Sequence, residues 1–172
     1  MFMNINEVNN LDENVFLNIF KNIFEHSDFI TKLVQKKRPF KNKSEIINHF
    51  MNTFDSLDQD EKVKIIRLHP DLGDKLKIRE GLTSFSQEEQ SRAGLAECND
   101  EEFKEFNRLN NEFKSKFNIP FIYAVRGKTK QDILDEFIGR LKSDNMEQEL
   151  DNSLIQVKKI ANLRINEIIS DE

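Results

Sequence analysis

Apolar residues recur along this chain at three- and four-residue spacing, broken by short polar punctuation. That is the signature of amphipathic helices packed on one another. The first predicted helix starts at Asp12 as N-cap and carries Phe16, Ile19, Phe20, Ile23 and Phe24, ending near Glu25. Ser27 caps a second, with Phe29, Ile30, Leu33 and Val34, and Arg38-Pro39 closes it. Ser44 caps a third, with Ile46, Ile47, Phe50, Phe54 and Leu57. Asp58-x-x-Glu61 is a capping-box pattern for a fourth, carrying Val63, Ile66 and Leu68.

A long punctuated stretch follows, His69 to Leu95 (HPDLGDKLKIREGLTSFSQEEQSRAGL). Irregular connections of this length inside a compact domain are usually functional or disordered. This one opens on His69-Pro70 and closes on a helix start, so it is read as the site. Within it, Ser86-x-x-Glu89 predicts a fifth helix running through Ala96. Asn99-x-x-Glu102 predicts a sixth, with Phe103, Phe106, Leu109, Phe113 and Phe117 on one face and Asn118-Ile119-Pro120 as terminator. Phe121-Ile122-Tyr123-Ala124-Val125 is apolar, too short for a helix, and finds no second strand to pair with. Thr129 starts a seventh helix, with Ile133, Leu134, Phe137, Ile138 and Leu141. The eighth runs from about Met146 to Ile169, with Leu150, Leu154, Val157, Ala161 and Ile168 as its stripe. The expected fold is all-α: a single-domain bundle of about eight helices over residues 1–172, with short loops favouring antiparallel neighbours.

Composition narrows the function. A chain of 172 residues suits one domain of about 100–200 residues. Its net charge of −5 argues against non-specific nucleic-acid binding, and no apolar run reaches the ~18 residues of a membrane span. MFMNINEVNN has no basic segment leading into an apolar one, so a cytoplasmic location is expected. Cys98 is the only cysteine, which rules out an intrachain disulfide and a thiolate zinc site. His26 and His49 form no metal-ligand spacing, and there is no glycine-rich phosphate loop.

Four features carry candidate chemistry. His69 lies just past a helix C-terminus, where the dipole favours imidazolium, and histidine titrates near pKa ~6.5. It reads as a proton donor, or as a plain C-capping residue. Ser86, Glu89 and Gln90 read as an ordinary helix start, or as a helix N-terminus offered to a ligand. Arg164 puts a permanent charge on the apolar stripe of the last helix, seven residues after Val157 and four before Ile168. It is an anion clamp, an arginine whose head reaches solvent, or half of a structural pair with a carboxylate. The backbone of Phe121–Val125 needs hydrogen-bond partners, which a ligand or neighbouring loops could supply.

These residues also carry a resemblance. His69-Pro70-Asp71-Leu72-Gly73 followed by Ser86-Gln87-Glu88-Glu89-Gln90-x-x-Ala93-Gly94-Leu95 resembles the OHCU decarboxylase family, which acts on 2-oxo-4-hydroxy-4-carboxy-5-ureidoimidazoline in the conversion of urate to allantoin. Phe24-Glu25-His26-Ser27, Arg38-Pro39-Phe40, Leu109-Asn110, Lys116-Phe117-x-x-Pro120-Phe121 and Val157-Lys158-Lys159-Ile160-x-x-Leu163-Arg164 extend the likeness over most of the chain. The resemblance implies an all-helical, cofactor-free and metal-free decarboxylase, often a homodimer, acting on a small molecule and yielding (S)-allantoin and CO2. It implies His69 as proton donor, and Glu89 is then read as orienting His69 or holding a substrate N–H. It places substrate contacts at Pro70, Ser86, Gln87, Glu88, Glu89, Gln90, Phe121, Ile122, Tyr123, Ala124, Val125 and Arg164. The chain departs from the family at Asp28-Phe29 (commonly Pro-Trp), at Phe85 (commonly Glu) and at Tyr123 (usually a smaller aliphatic residue). Phe85 and Tyr123 are therefore the positions that bear on substrate specificity. Two other expectations remain open from the residues: a related enzyme for another ureido or imidazoline intermediate, and a non-catalytic module with phenylalanines on its surface.

Overall fold

The computed structural model describes residues 2–74, 78 and 81–171. Part of the long stretch read as the site, residues 75–77, 79 and 80, lies outside the described residues. Among the described residues are nine α-helices, one short 3-10 turn and no strand; an isolated parallel bridge joins Met3 to Ile169. The all-α expectation holds. No helix among them is long and apolar enough to cross a membrane. The chain divides into two compact units, residues 2–65 with 158–171, and Ile66–Val157.

The first unit contains α1 (Ile5–Asn9), α2 (Glu13–Phe20), α3 (Asp28–Gln35) and α4 (Lys43–Asp55). The pattern reading missed α1, although Asn4 and Glu7 form a reciprocal capping box. Five residues are too few to show a period. Asp12 does cap α2, but the helix stops at Phe20, and residues 21–27 form a turn rather than another helical turn. Ser27 makes no side-chain cap on α3; its hydroxyl donates to the Glu25 carbonyl instead. The buried face of α3 is Ile30, Thr31, Val34 and Gln35, while the expected Phe29 and Leu33 are exposed. The cap of α4 is Asn42, not Ser44. Stacked phenylalanines fill this core: Phe16 on Phe20 at 4.6 Å and Phe24 on Phe54 at 4.8 Å.

The division between units falls inside α5 (Gln59–Leu68), whose Asp58–Glu61 capping box is formed as expected. Its buried residues are Ile65 and Ile66, and Leu68 is exposed. The second unit continues with α6 (Ser84–Arg92), the 3-10 turn Leu95–Glu97, α7 (Asp100–Phe117) and α8 (Lys130–Leu141). The cap of α6 is Thr83, which accepts from Ser86 N, so Ser86 belongs to the first turn and is not the cap. This helix ends at Arg92, short of Ala96, where Gly94 takes φ +80°. Asn99 with Glu102 and Thr129 with Asp132 cap α7 and α8 as the pattern predicts. Lys130 Nζ, 2.7 Å from Glu102 Oε2, ties the two helix starts together and holds the Glu102 carboxyl below its ordinary range. Along α9 (Met146–Ile168), which belongs to the second unit up to Val157 and to the first unit beyond it, the buried residues are Glu149, Ser153, Val157, Ile160, Ala161, Arg164 and Ile165. Leu150, Leu154 and Ile168 are only half-buried, so the inward stripe is more polar than expected.

Candidate active site

The site in the second unit is built on the turn His69–Gly73, which leaves α5 with His69 N donating to Ile66 O at 3.1 Å. Proline at 70 stops the helix by removing a donor. His69 is buried, at 8% exposure. Three side chains pin the turn. The amide of Gln90 spans it, donating from Nε2 to Asp71 O (3.2 Å) and accepting at Oε1 from Gly73 N (3.1 Å). Asn110 donates to Leu72 O at 2.8 Å, and Lys114 Nζ meets Asp71 Oδ2 at 2.7 Å.

Gly73 is required by geometry. Its φ is +78°, and a Cβ there would sit 2.6 Å from Phe106 Cγ. Gly73→Ala combines a disfavoured backbone conformation with a clash against a buried ring, and is expected to cost about 2–4 kcal/mol. A urea titration of the variant reads this as a lowered midpoint at unchanged slope.

The helix facing this turn has an unusual inner side. In α6, Ser86 and Gln90 are the buried residues, and Gln87 and Glu89 are half-buried. Helices normally turn an apolar stripe inward, and buried polar groups are kept only when bonded. Glu88, by contrast, is exposed and pairs with Arg92 at 2.9 Å, one turn along on the outer face. A helix cannot present five consecutive residues to one ligand, because its side chains spread around the axis.

His69 also lines a cavity of about 290 Å³ with Arg67, Asp71, Lys114, Asn118, Ile119 and Pro120. Pro120 leads into Phe121–Val125, a segment outside any helix that is buried except at half-exposed Tyr123. Its backbone is held by side chains that the pattern reading did not single out. Arg140 donates to Ile122 O at 2.6 Å, and Ala124 N donates to Gln156 Oε1 at 3.0 Å. Arg140 itself is buried, paired with Glu149 at 2.9 Å, bonded to Ser153 and stacked over Phe121 at 4.7 Å. The signal for it was present: an arginine one turn past Phe137 on a helix whose inner face is apolar.

Arg164 lies in the first unit. It is 1% exposed, with Nη2 2.8 Å from Glu25 Oε2 and Nη1 donating to Asn22 O at 2.8 Å. Its head therefore does not reach solvent. Phe85 is half-buried beside Ser86.

The all-helical fold of this chain has solved relatives. The fold matches a crystal structure of (S)-allantoin synthase with TM-score 0.76 at 23% identity, covering 98% of this chain and 54% of that one. It matches a crystal structure of OHCU decarboxylase in the presence of (S)-allantoin with TM-score 0.71 at 22% identity, covering 88% and 97%. The family is set by sequence: the OHCU decarboxylase family model matches residues 9–166, and this chain belongs to that family. It is 34% identical over 170 residues to 2-oxo-4-hydroxy-4-carboxy-5-ureidoimidazoline decarboxylase of Xenopus laevis, covering 99% of this chain and 97% of that protein. Identity to the protein of the same name from Mus musculus is 33% over 167 residues, covering 97% and 93%. The chain is also 34% identical to the uric acid degradation bifunctional protein of Bacillus sp. (strain TB-90), of which it spans 33%.

Proposed function

We propose that this chain decarboxylates 2-oxo-4-hydroxy-4-carboxy-5-ureidoimidazoline to (S)-allantoin in urate degradation, with His69 as proton donor. The observation that carries the reading is the inward polar face of α6, clamped through Gln90 onto the His69–Gly73 turn. Such a face gives up apolar burial, a stabilising term of about 25 cal/mol per Å², in favour of groups that can meet a polar ligand.

In the reaction the bond from the ring carbon to its carboxylate breaks and CO2 leaves. The electron pair forms a double bond to the neighbouring ureido-bearing ring carbon, and the C=N electrons of that carbon pass to the ring nitrogen, which takes up a proton. The hydroxyl on the carbon that lost CO2 then gives up its proton to become a ring carbonyl, a proton adds to the neighbouring ring carbon that bears the ureido group, and the face that receives it sets the configuration of the product. Imidazole exchanges protons near neutrality, so His69 suits that step. Glu89 orients His69 or holds a substrate N–H. Pro70, Ser86, Gln87 and the backbone of Phe121–Val125 contact the substrate and supply orientation rather than covalent help. Gln90 holds the turn, and Arg164 serves as the anion-binding residue. Homodimer formation, on the strength of the family resemblance, and a cytoplasmic location complete the reading. A surface module built on phenylalanine has little support, because among the described residues only Phe2 and Phe29 are exposed phenylalanines.

The test is product chirality. OHCU decays spontaneously to racemic allantoin, so circular dichroism on freshly generated OHCU separates catalysis from background. Rapid appearance of optically active allantoin supports the reading. A racemic product at the background rate overturns it, and an optically active product from a related imidazoline alone moves the assignment to a redirected enzyme.

A further inference from the structure

We infer that Glu25 is the positioning residue for Arg164 in this reaction, and that the turn between α2 and α3 is built to present it; the inference rests on the reading that Arg164 binds substrate. The carboxylate and the guanidinium are each only 1% exposed and stand 2.8 Å apart. The same turn supplies a second acceptor, the Asn22 carbonyl, at 2.8 Å from Nη1. One guanidinium is thus gripped at two nitrogens from residues three apart. This fixes the plane of the fork as well as its position, and planar orientation is what distinguishes arginine recognition from a point charge.

The turn spends conformational strain to do this. His26 has φ +47°, a left-handed conformation that non-glycine residues adopt reluctantly. It throws the His26 side chain out to 57% exposure while its neighbour Glu25 points inward. Local bonds lock the arrangement. Ser27 Oγ donates to Glu25 O at 2.8 Å, and Thr31 Oγ1 donates to Phe20 O at 2.8 Å. Ile23 and Phe24 anchor the turn in the core, with Phe24 stacked on Phe54 at an interplanar angle of 4°.

Stability alone is a poor reason for the pair. A buried ion pair loses hydration on both sides, and well-packed apolar replacements are commonly neutral or stabilising. Strained backbone held by surrounding structure clusters where function needs it. Phe24-Glu25-His26-Ser27, set apart in the sequence as a motif, is accounted for by this geometry: an anchor, a carboxylate, an outward strained residue and a hydroxyl lock.

The experiment compares Glu25→Gln, Arg164→Ala and the double variant Glu25→Gln/Arg164→Ala, measuring kcat and KM for OHCU by product chirality and folding by thermal melts. Glu25→Gln keeps an acceptor of the same shape and removes the charge. It is expected to raise KM and lower kcat/KM by about tenfold to a hundredfold, the scale of a misplaced binding group. Guanidinium ion added at millimolar concentration is expected to restore activity to Arg164→Ala, where the Glu25 carboxylate still receives it, and not to the double variant. A merely structural pair would shift the melting temperature and leave the KM of the folded enzyme and the rescue pattern unmoved. If Glu25→Gln does not fold, Glu25→Asp reads the same quantity, because drawing the charge back by one methylene raises KM if the carboxylate sets the guanidinium. Loss of activity in Arg164→Ala with wild-type KM in folded Glu25→Gln or Glu25→Asp overturns the inference and leaves the role of Arg164 standing. Full kcat/KM in Arg164→Ala overturns that role, and the inference with it.

Discussion

His69→Asn is expected to lower kcat by about 10²- to 10⁴-fold and to leave the residual product racemic, the range usual for removing a general acid or base. Asparagine fills similar space and keeps a hydrogen-bonding edge, but its amide does not release a proton near neutral pH. The backbone turn does not depend on the imidazole. Gln90 spans Asp71 and Gly73, Asn110 holds Leu72 and Lys114 holds Asp71, so the variant should fold with the surrounding groups in place. Circular dichroism of the product, beside a thermal melt of the protein, separates a chemical loss from a structural one. Wild-type enantioselectivity in the folded variant would remove His69 as the donor. Loss of enantioselectivity with an unchanged melt is the result that assigns the proton.

Arg140→Met is expected to cost about 3–5 kcal/mol of stability, the scale for leaving one partner of a buried ion pair alone. Glu149, at 2% exposure, would then lose its cation and, among the described residues, be left with Asn152 at 3.1 Å as its bonded side chain. The Ile122 carbonyl would lose its donor, and the ring of Phe121 its cation. Urea titration of the single variant reads the loss. Adding Glu149→Leu removes the stranded charge, and most of the stability should return. Activity should not return with it, because the segment Phe121–Val125 still lacks the bond that fixes Ile122. A double variant as active as the wild type would show that this anchor has no part in catalysis, whereas one that is stable and slow would separate the two contributions of Arg140.

The Arg140 prediction and the Glu25 inference both turn on polar side chains placed where apolar ones would pack more simply. Arg140 with Glu149 and Arg164 with Glu25 are each nearly dry, one pair in each compact unit. Both grip backbone as well as carboxylate: Ile122 O in the first case and Asn22 O in the second. A guanidinium can do this because its donors diverge in one plane, so one side chain satisfies a charge and a carbonyl at once. An apolar residue of equal volume would fill the space and hold neither loop.

Much of the fold was legible from the order of residues, because helices are specified locally. Asp12, Asn99 and Thr129 accept from backbone N–H groups two or three residues on, and Asp58–Glu61 closes its reciprocal box. The 3.6-residue period placed Phe106, Leu109, Phe113 and Phe117 on the buried side of α7 without knowing what they meet. Short range also explains the errors. Ser27, Ser44 and Ser86 all look like caps, and in each case a neighbouring group was better placed: the Glu25 carbonyl took the first hydroxyl, and Asn42 and Thr83 took the other two helix starts. Several residues within three positions can satisfy the same orphan donors, and only the path of the incoming chain chooses among them.

The sequence by itself determined the helical class, the order of most elements, the family, and the candidate residues His69, Ser86 to Gln90, Phe121 to Val125 and Arg164. Tertiary structure alone decided what those residues are bonded to. It made Gln90 a clasp of the His69–Gly73 turn, put Glu88 on the outer face with Arg92, and bonded the Ile122 carbonyl to Arg140. It also buried Arg164 against Glu25, which lies far from it in sequence. The physical reason is range. Helix signals act over three or four residues and leave a mark in local spacing. A buried charge is settled by whichever partner the folded chain brings within hydrogen-bond distance, and no local pattern encodes that partner.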